Sequence, residues 1–166
     1  MLHHVSVGVA DVARAAQFYD PVLRALGFKR VLEFLPYGIG YGDKHPQFWV
    51  QLPHDQRAAS IGNGVHVAFN AVSEAMVHAF HRAALAAGGT DDGAPGPRPD
   101  YGPEYFGAFV RDLDGNKIEA VLVRVPVAAA AKKAGQKSGA KKAKKSGGAK
   151  RASKGARGKK KRKGRR

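Results

Sequence analysis

Four side chains in this sequence suit the coordination of a divalent ion, and each lies on a short strand-like stretch. They are His4, His66, Glu119 and Gln51. Imidazole and carboxylate are good ligands for first-row metals, and two histidines with one carboxylate leave open positions for a substrate. Gln51 would add a neutral ligand through its amide oxygen. Glu119 follows the run Asp112-Leu113-Asp114-Gly115-Asn116, which reads as a tight turn with Gly115 free to take a positive φ.

The elements that must carry these groups follow from alternation. In Lys117 to Val123, Ile118, Ala120 and Leu122 share one face, while Lys117, Glu119 and Val121 share the other. Val5, Val7 and Val9 oppose His4, Ser6 and Gly8. Val65, Val67 and Phe69 oppose His66, Ala68 and Asn70. Phe48, Val50 and Leu52 oppose Trp49 and Gln51. Each candidate ligand thus points away from the apolar face of its strand.

Two helices are expected. Asp11 caps one that runs toward Gly27, with Pro21 predicting a kink or an irregular last turn, and Ser73 caps another that ends at Gly88-Gly89. Phe28 to Leu35, Gly38 to Gly42 and Tyr105 to Val110 read as further strands, and Gly93 to Pro103 reads as a Gly-Pro-rich loop. The halves repeat. His4 pairs with His66, Val7 with Phe69, Phe18 with Phe80 and Gly27 with Gly89, each at an offset of 62 residues. Gln51 in the first half takes the place of Glu119 in the second. The expected fold is α+β: two tandem βαβββ modules forming a curved mixed or antiparallel sheet with helices outside. A two-fold relation between modules would bring the four ligands into one concave site, within one chain or across a homodimer.

These residues resemble the vicinal oxygen chelate superfamily, the glyoxalase/bleomycin-resistance/extradiol-dioxygenase group. The resemblance lies in His3-His4-Val5-Ser6-Val7-Gly8-Val9-Ala10-Asp11, in Gly64-Val65-His66-Val67-Ala68-Phe69, and in Phe109 through Glu119. It covers about residues 1–125. It implies one divalent ion (Ni, Zn, Co, Mn or Fe) on His4, Gln51, His66 and Glu119, and a small-molecule substrate. Gln51 stands where glyoxalase I-like members often have Glu, and Leu113 replaces a common Pro. The implied reaction is that of a glyoxalase-like lyase/isomerase, in which the ion chelates two neighbouring oxygens, stabilises an enolate, and Glu119 shuttles the proton. The alternatives are an Fe(II) extradiol-type dioxygenase on His4, His66 and Glu119, and a non-catalytic binding protein of the resistance type. Trp49, Tyr41, Tyr101 and Tyr105 are candidates for an apolar substrate wall, and Arg98 for a clamp on a substrate carboxylate.

Composition adds a second part. The chain carries a net charge of +16, but 18 of its 29 basic residues lie in residues 127–166, which leaves 11 against 13 acidic residues in residues 1–126. A domain at 1–126 and a disordered polybasic tail at 127–166 are expected. The Ala-Lys-Lys and Lys-Ser-Gly repeats of the tail resemble the C-terminal tails of linker-histone-like proteins. Lys141, Lys142, Lys144, Lys145, Lys159, Lys160, Lys161, Arg162 and Lys163 are its candidate contacts to nucleic acid or another polyanion. The absence of cysteine excludes disulfides and thiolate metal sites. With no signal-peptide pattern and no apolar run near the ~20 residues of a membrane span, a cytoplasmic protein is the expectation, with nucleoid association one of the options that the tail opens.

If the tail engages ~8 phosphates, log K for duplex DNA against log salt should slope at roughly −7. Deleting residues 127–166 should abolish that binding. A truncated protein that still binds DNA would show that the attraction lies elsewhere.

Overall fold

The computed structural model describes residues 2–124. The first module consists of β1 (Val5–Gly8), α1 (Val12–Arg24), β2 (Lys29–Phe34), β3 (Gly38–Gly42) and β4 (Pro46–Gln51). The second repeats it with β5 (His66–Asn70), α2 (Glu74–Ala86), β6 (Thr90–Pro97), β7 (Tyr105–Arg111) and β8 (Lys117–Val123). Two mixed four-stranded sheets result, in the orders β1-β4-β3-β2 and β5-β8-β7-β6. In each, the first strand runs parallel to the last and the other pairs are antiparallel. The expected α+β architecture of two βαβββ modules is the one observed. No helix among the described residues is long and apolar enough to cross a membrane.

The helices start where their caps dictate. Asp11 accepts a hydrogen bond from the Arg14 N–H at 2.8 Å, and Ser73 accepts one from the Met76 N–H at 3.3 Å. Pro21 sits within α1, which stops at Arg24, and the chain closes through an irregular turn to Gly27 at φ +84°. Val12, Phe18, Tyr19, Val22 and Leu23 of α1 and Val77, Phe80 and Ala84 of α2 are buried in a core that spans both modules. Phe48 of β4 meets Phe69 of β5 edge-on at 5.1 Å.

One strand lies where a loop is expected. β6 is an edge strand with breaks in register between Asp91 and Gly93 and between Gly93 and Gly96. Gly and Pro punctuate it because an edge strand bonds on one side only and tolerates bulges and missing N–H groups.

The Asp112–Asn116 turn joins the modules. The Tyr19 hydroxyl donates to Asp112 Oδ2 at 2.6 Å, Asn116 Nδ2 donates to the Gly8 carbonyl at 3.0 Å, and the Ala10 N–H donates to Asp114 Oδ1 at 3.2 Å. Burial, then the neighbouring Asp112, raises the Tyr19 phenol well above its ordinary range, so it remains a donor. Tyr19→Phe should lower stability by about 1–2 kcal/mol, measured by urea denaturation. An unchanged midpoint would show that this bond does not hold the modules together.

Candidate functional site

Strand register sorts the candidate ligands into two pairs. In the first sheet, Ser6 faces Trp49 and Gly8 faces Gln51 across β1 and β4. His4, Ser6, Trp49 and Gln51 border one small cavity of about 250 Å³. His4 is exposed, and its Nδ1 lies 2.8 Å from Nδ1 of His3. His3, whose strand position suggests a packed side chain, is therefore exposed and turned toward its neighbour. The Trp49 ring lies stacked on Phe34 at 6.1 Å and 16°. Gly40 makes room for it, since a Cβ there would come within 2.9 Å of the indole.

The second pair is tighter. Glu119 is only 1% exposed, although a strand carboxylate usually faces water. Its Oε1 accepts a hydrogen bond from the Tyr105 hydroxyl at 2.6 Å. Its Oε2 lies 3.3 Å from His66 Nε2 and has no hydrogen-bond partner among the described residues. A buried carboxylate oxygen left open beside an imidazole is costly unless something positive joins it. Gly107 leaves the space this carboxylate occupies, because a Cβ there would lie 2.9 Å from Oε1.

The two pairs share one border. His4 and His66 both border a cavity of about 430 Å³ between the modules, but Gln51 and Glu119 do not line it. Among the described residues, no group of three His, Asp or Glu side chains is close enough to hold a metal. Of the four candidate donors, His66 and Glu119 stand in contact, and the chemistry of an imidazole beside an otherwise unpartnered carboxylate oxygen suits one side of a divalent ion.

The remaining candidates divide. Trp49 borders a larger cavity of about 1000 Å³ together with Phe34, Tyr37, Gln51, His54 and Arg57. Tyr41 is 1% exposed and faces the core opposite Phe48, its hydroxyl donates to Asp20 at 2.9 Å, and it borders the cavity that His4 and His66 share. Tyr101 is exposed and meets the Tyr105 ring edge-on at 5.2 Å. Tyr105 is half-buried, and its hydroxyl is committed to Glu119. Burial, then that hydrogen bond, raises its phenol, so it holds its proton. Arg98 adjoins β6, donating to the carbonyls of Ala94 at 2.6 Å and Pro97 at 3.2 Å with its guanidinium over Phe109. The tail residues Lys141 to Lys163 lie outside the described residues. Sequence reading passed over Phe34, Phe109 and Lys117. Lys117 shares the strand face of Glu119, and that alternation was the available signal.

The sequence profile of the Glyoxalase/Bleomycin resistance protein/Dioxygenase superfamily matches residues 1–120. A glyoxalase/bleomycin resistance protein from Albidiferax ferrireducens T118 is 35% identical, with 75% of this chain and 99% of that chain covered and a TM-score of 0.67. A glyoxalase-related enzyme from Fulvimarina pelagi is 22% identical over 74% of this chain and 87% of that chain, at a TM-score of 0.59. A lactoylglutathione lyase from Agrobacterium tumefaciens is 18% identical over 74% and 92%, at 0.53. The last two share the fold. No curated protein matches the chain.

Tyr105→Phe should destabilise the protein by about 1–3 kcal/mol, because it strips from a buried carboxylate the hydrogen bond on Oε1. Urea denaturation measures this. A stability equal to wild type would mean that Tyr105 does not support Glu119.

Proposed function

Because the chain belongs to the glyoxalase/bleomycin resistance protein/dioxygenase superfamily, we propose that it is a metal-dependent lyase/isomerase acting on a small substrate with two neighbouring oxygens. The observation that carries this reading is Glu119, buried with Oε2 unpartnered and 3.3 Å from His66 Nε2. His66 and Glu119 would hold the ion from one module, and His4 and Gln51 from the other. The pairs meet if a second copy supplies one of them, so we propose a homodimer with the site between protomers. Phe34, Leu35, Tyr37 and Val65 are large apolar side chains left exposed in a single chain, and a second copy would cover such surface.

A bound divalent ion would polarise both substrate oxygens and ease loss of the proton beside the carbonyl. The residues of the chain divide the remaining work. Tyr105 fixes Glu119 through Oε1, so Oε2 is the oxygen left to hold the ion and, on leaving it, to serve as the base. Glu119 takes the proton from the hydroxyl-bearing carbon and returns it to the neighbouring carbonyl carbon, while the hydroxyl proton passes from one oxygen to the other, so the carbonyl shifts with no atom gained or lost. Trp49 and Phe34 shield one side of the substrate from water. The same stacked pair favours a flat substrate, which keeps a second reading in view: an Fe(II) dioxygenase acting on a catechol.

Metal analysis should find bound divalent ion in wild type, less in Gln51→Ala, and least in Glu119→Ala. Isomerisation of an α-keto hemithioacetal should proceed without oxygen uptake and fall about 10²–10⁴-fold in Glu119→Gln. Oxygen uptake with catechol that depends on His4 would overturn the lyase reading in favour of the dioxygenase. Equal metal content in wild type and Glu119→Ala would remove Glu119 from the ligand set.

A further inference from the structure

Beside His66 lies a cavity of about 570 Å³ that none of the residues discussed as metal ligands, apart from His66, borders. This is the size of a small-molecule site. Tyr101, Phe109, Arg111 and Lys117 line it with His66, and among the described residues none that lines it is acidic. That is a local excess of positive charge in a domain whose charged residues otherwise nearly balance.

Two cations are placed here at a cost. Arg111 of β7 and Lys117 of β8 are directly paired in register, and like charges opposite one another repel. One carboxylate mediates. Asp92 Oδ2 lies 3.2 Å from Arg111 Nε and 3.0 Å from Lys117 Nζ. The hydrogen bond from Lys117 holds the Asp92 carboxyl below its usual range, so it is ionised and still offers one negative charge to two positive ones. The Lys117 ammonium lies 4.8 Å from the centre of the Phe109 ring, and the His66 ring lies 6.4 Å from that same ring. Phe109 is thus a shared floor for a candidate metal ligand and an ammonium. The side chains of Lys117 and Arg111 remain 29% and 37% exposed, open to a ligand.

We propose that Lys117, with Arg111, is a seat for an anionic group of the substrate, so that the site selects carboxylate-bearing compounds over neutral ones. This rests on the reading of His66 and Glu119 given above. Lys117 precedes Glu119 by two residues on one face of β8, a separation of about 6–7 Å along the strand. The preferred ligand therefore carries its charge about that far from the two oxygens it presents to the ion. Asp92 has a second role here: it keeps Lys117 and Arg111 together, and an incoming carboxylate supplies the missing negative charge.

The test compares two ligands that share a chelating group and differ in one carboxylate, catechol and 3,4-dihydroxybenzoate, on the Zn(II)-loaded full-length protein by isothermal titration calorimetry. Wild type should bind 3,4-dihydroxybenzoate about tenfold or more tightly than catechol, the range of one charge-assisted hydrogen bond. Lys117→Met should bring the two affinities within about twofold of each other. Lys117→Arg should restore the preference. Equal affinities in wild type, or a preference that survives Lys117→Met, would overturn the seat alone. Binding of neither compound to Zn(II)-loaded protein would overturn the reading of the metal site, and the seat with it.

Discussion

The carboxylate of Asp112 is the constraint on which both modules depend. It is 5% exposed, and removal of such a group from water is costly unless its oxygens are satisfied. Four donors do this: the Tyr19 hydroxyl and Asn116 Nδ2 on Oδ2, and the backbone N–H groups of Asp114 and Asn116 on Oδ1. Three come from the turn itself and one from α1 of the other module. The turn therefore closes on itself and is pinned to its neighbour by the same group. β8 begins at Lys117, directly after Asn116, so the register that places Glu119 opposite Phe109 follows from this one buried side chain.

Much of the scaffold was legible because its signals are local. Gly38–Gly42 and Lys117–Val123 are strands with the bounds that alternation and turn residues suggest, and both helix caps are the residues whose side chains suit that place. The 62-residue repeat announced the tandem modules. What alternation missed depends on neighbours distant in sequence. Thr90–Pro97 is strand only because β7 pairs with it, since its own residues favour turns. Tyr41 sits among Gly38, Gly40 and Gly42, which give no polar contrast from which to read a face. Its pairing with Phe48 turns it inward. The burial of Glu119 was equally hidden, because the hydroxyl that satisfies it arrives from the strand beside it.

Two copies of one topology have acquired opposite characters. The first module shows an exposed imidazole, a neutral amide and a stacked aromatic pair. The second shows a buried carboxylate, a half-exposed imidazole, and two cations sharing Asp92. The backbone supplies four equivalent strand positions, and the chemistry resides in what stands beside them. An apolar wall on one side and a charged rim on the other would orient an unsymmetrical ligand without any further device.

A glycine in a central strand normally weakens it, yet at Gly107 the missing methyl is the room in which the Glu119 carboxylate sits. One carbon added at that position would compete with Oε1 while leaving the topology of the sheet intact. A replacement of this one glycine would therefore act on the carboxylate of β8 and not on the strand pairing around it, so the fold and the placement of Glu119 answer to different atoms of the same strand.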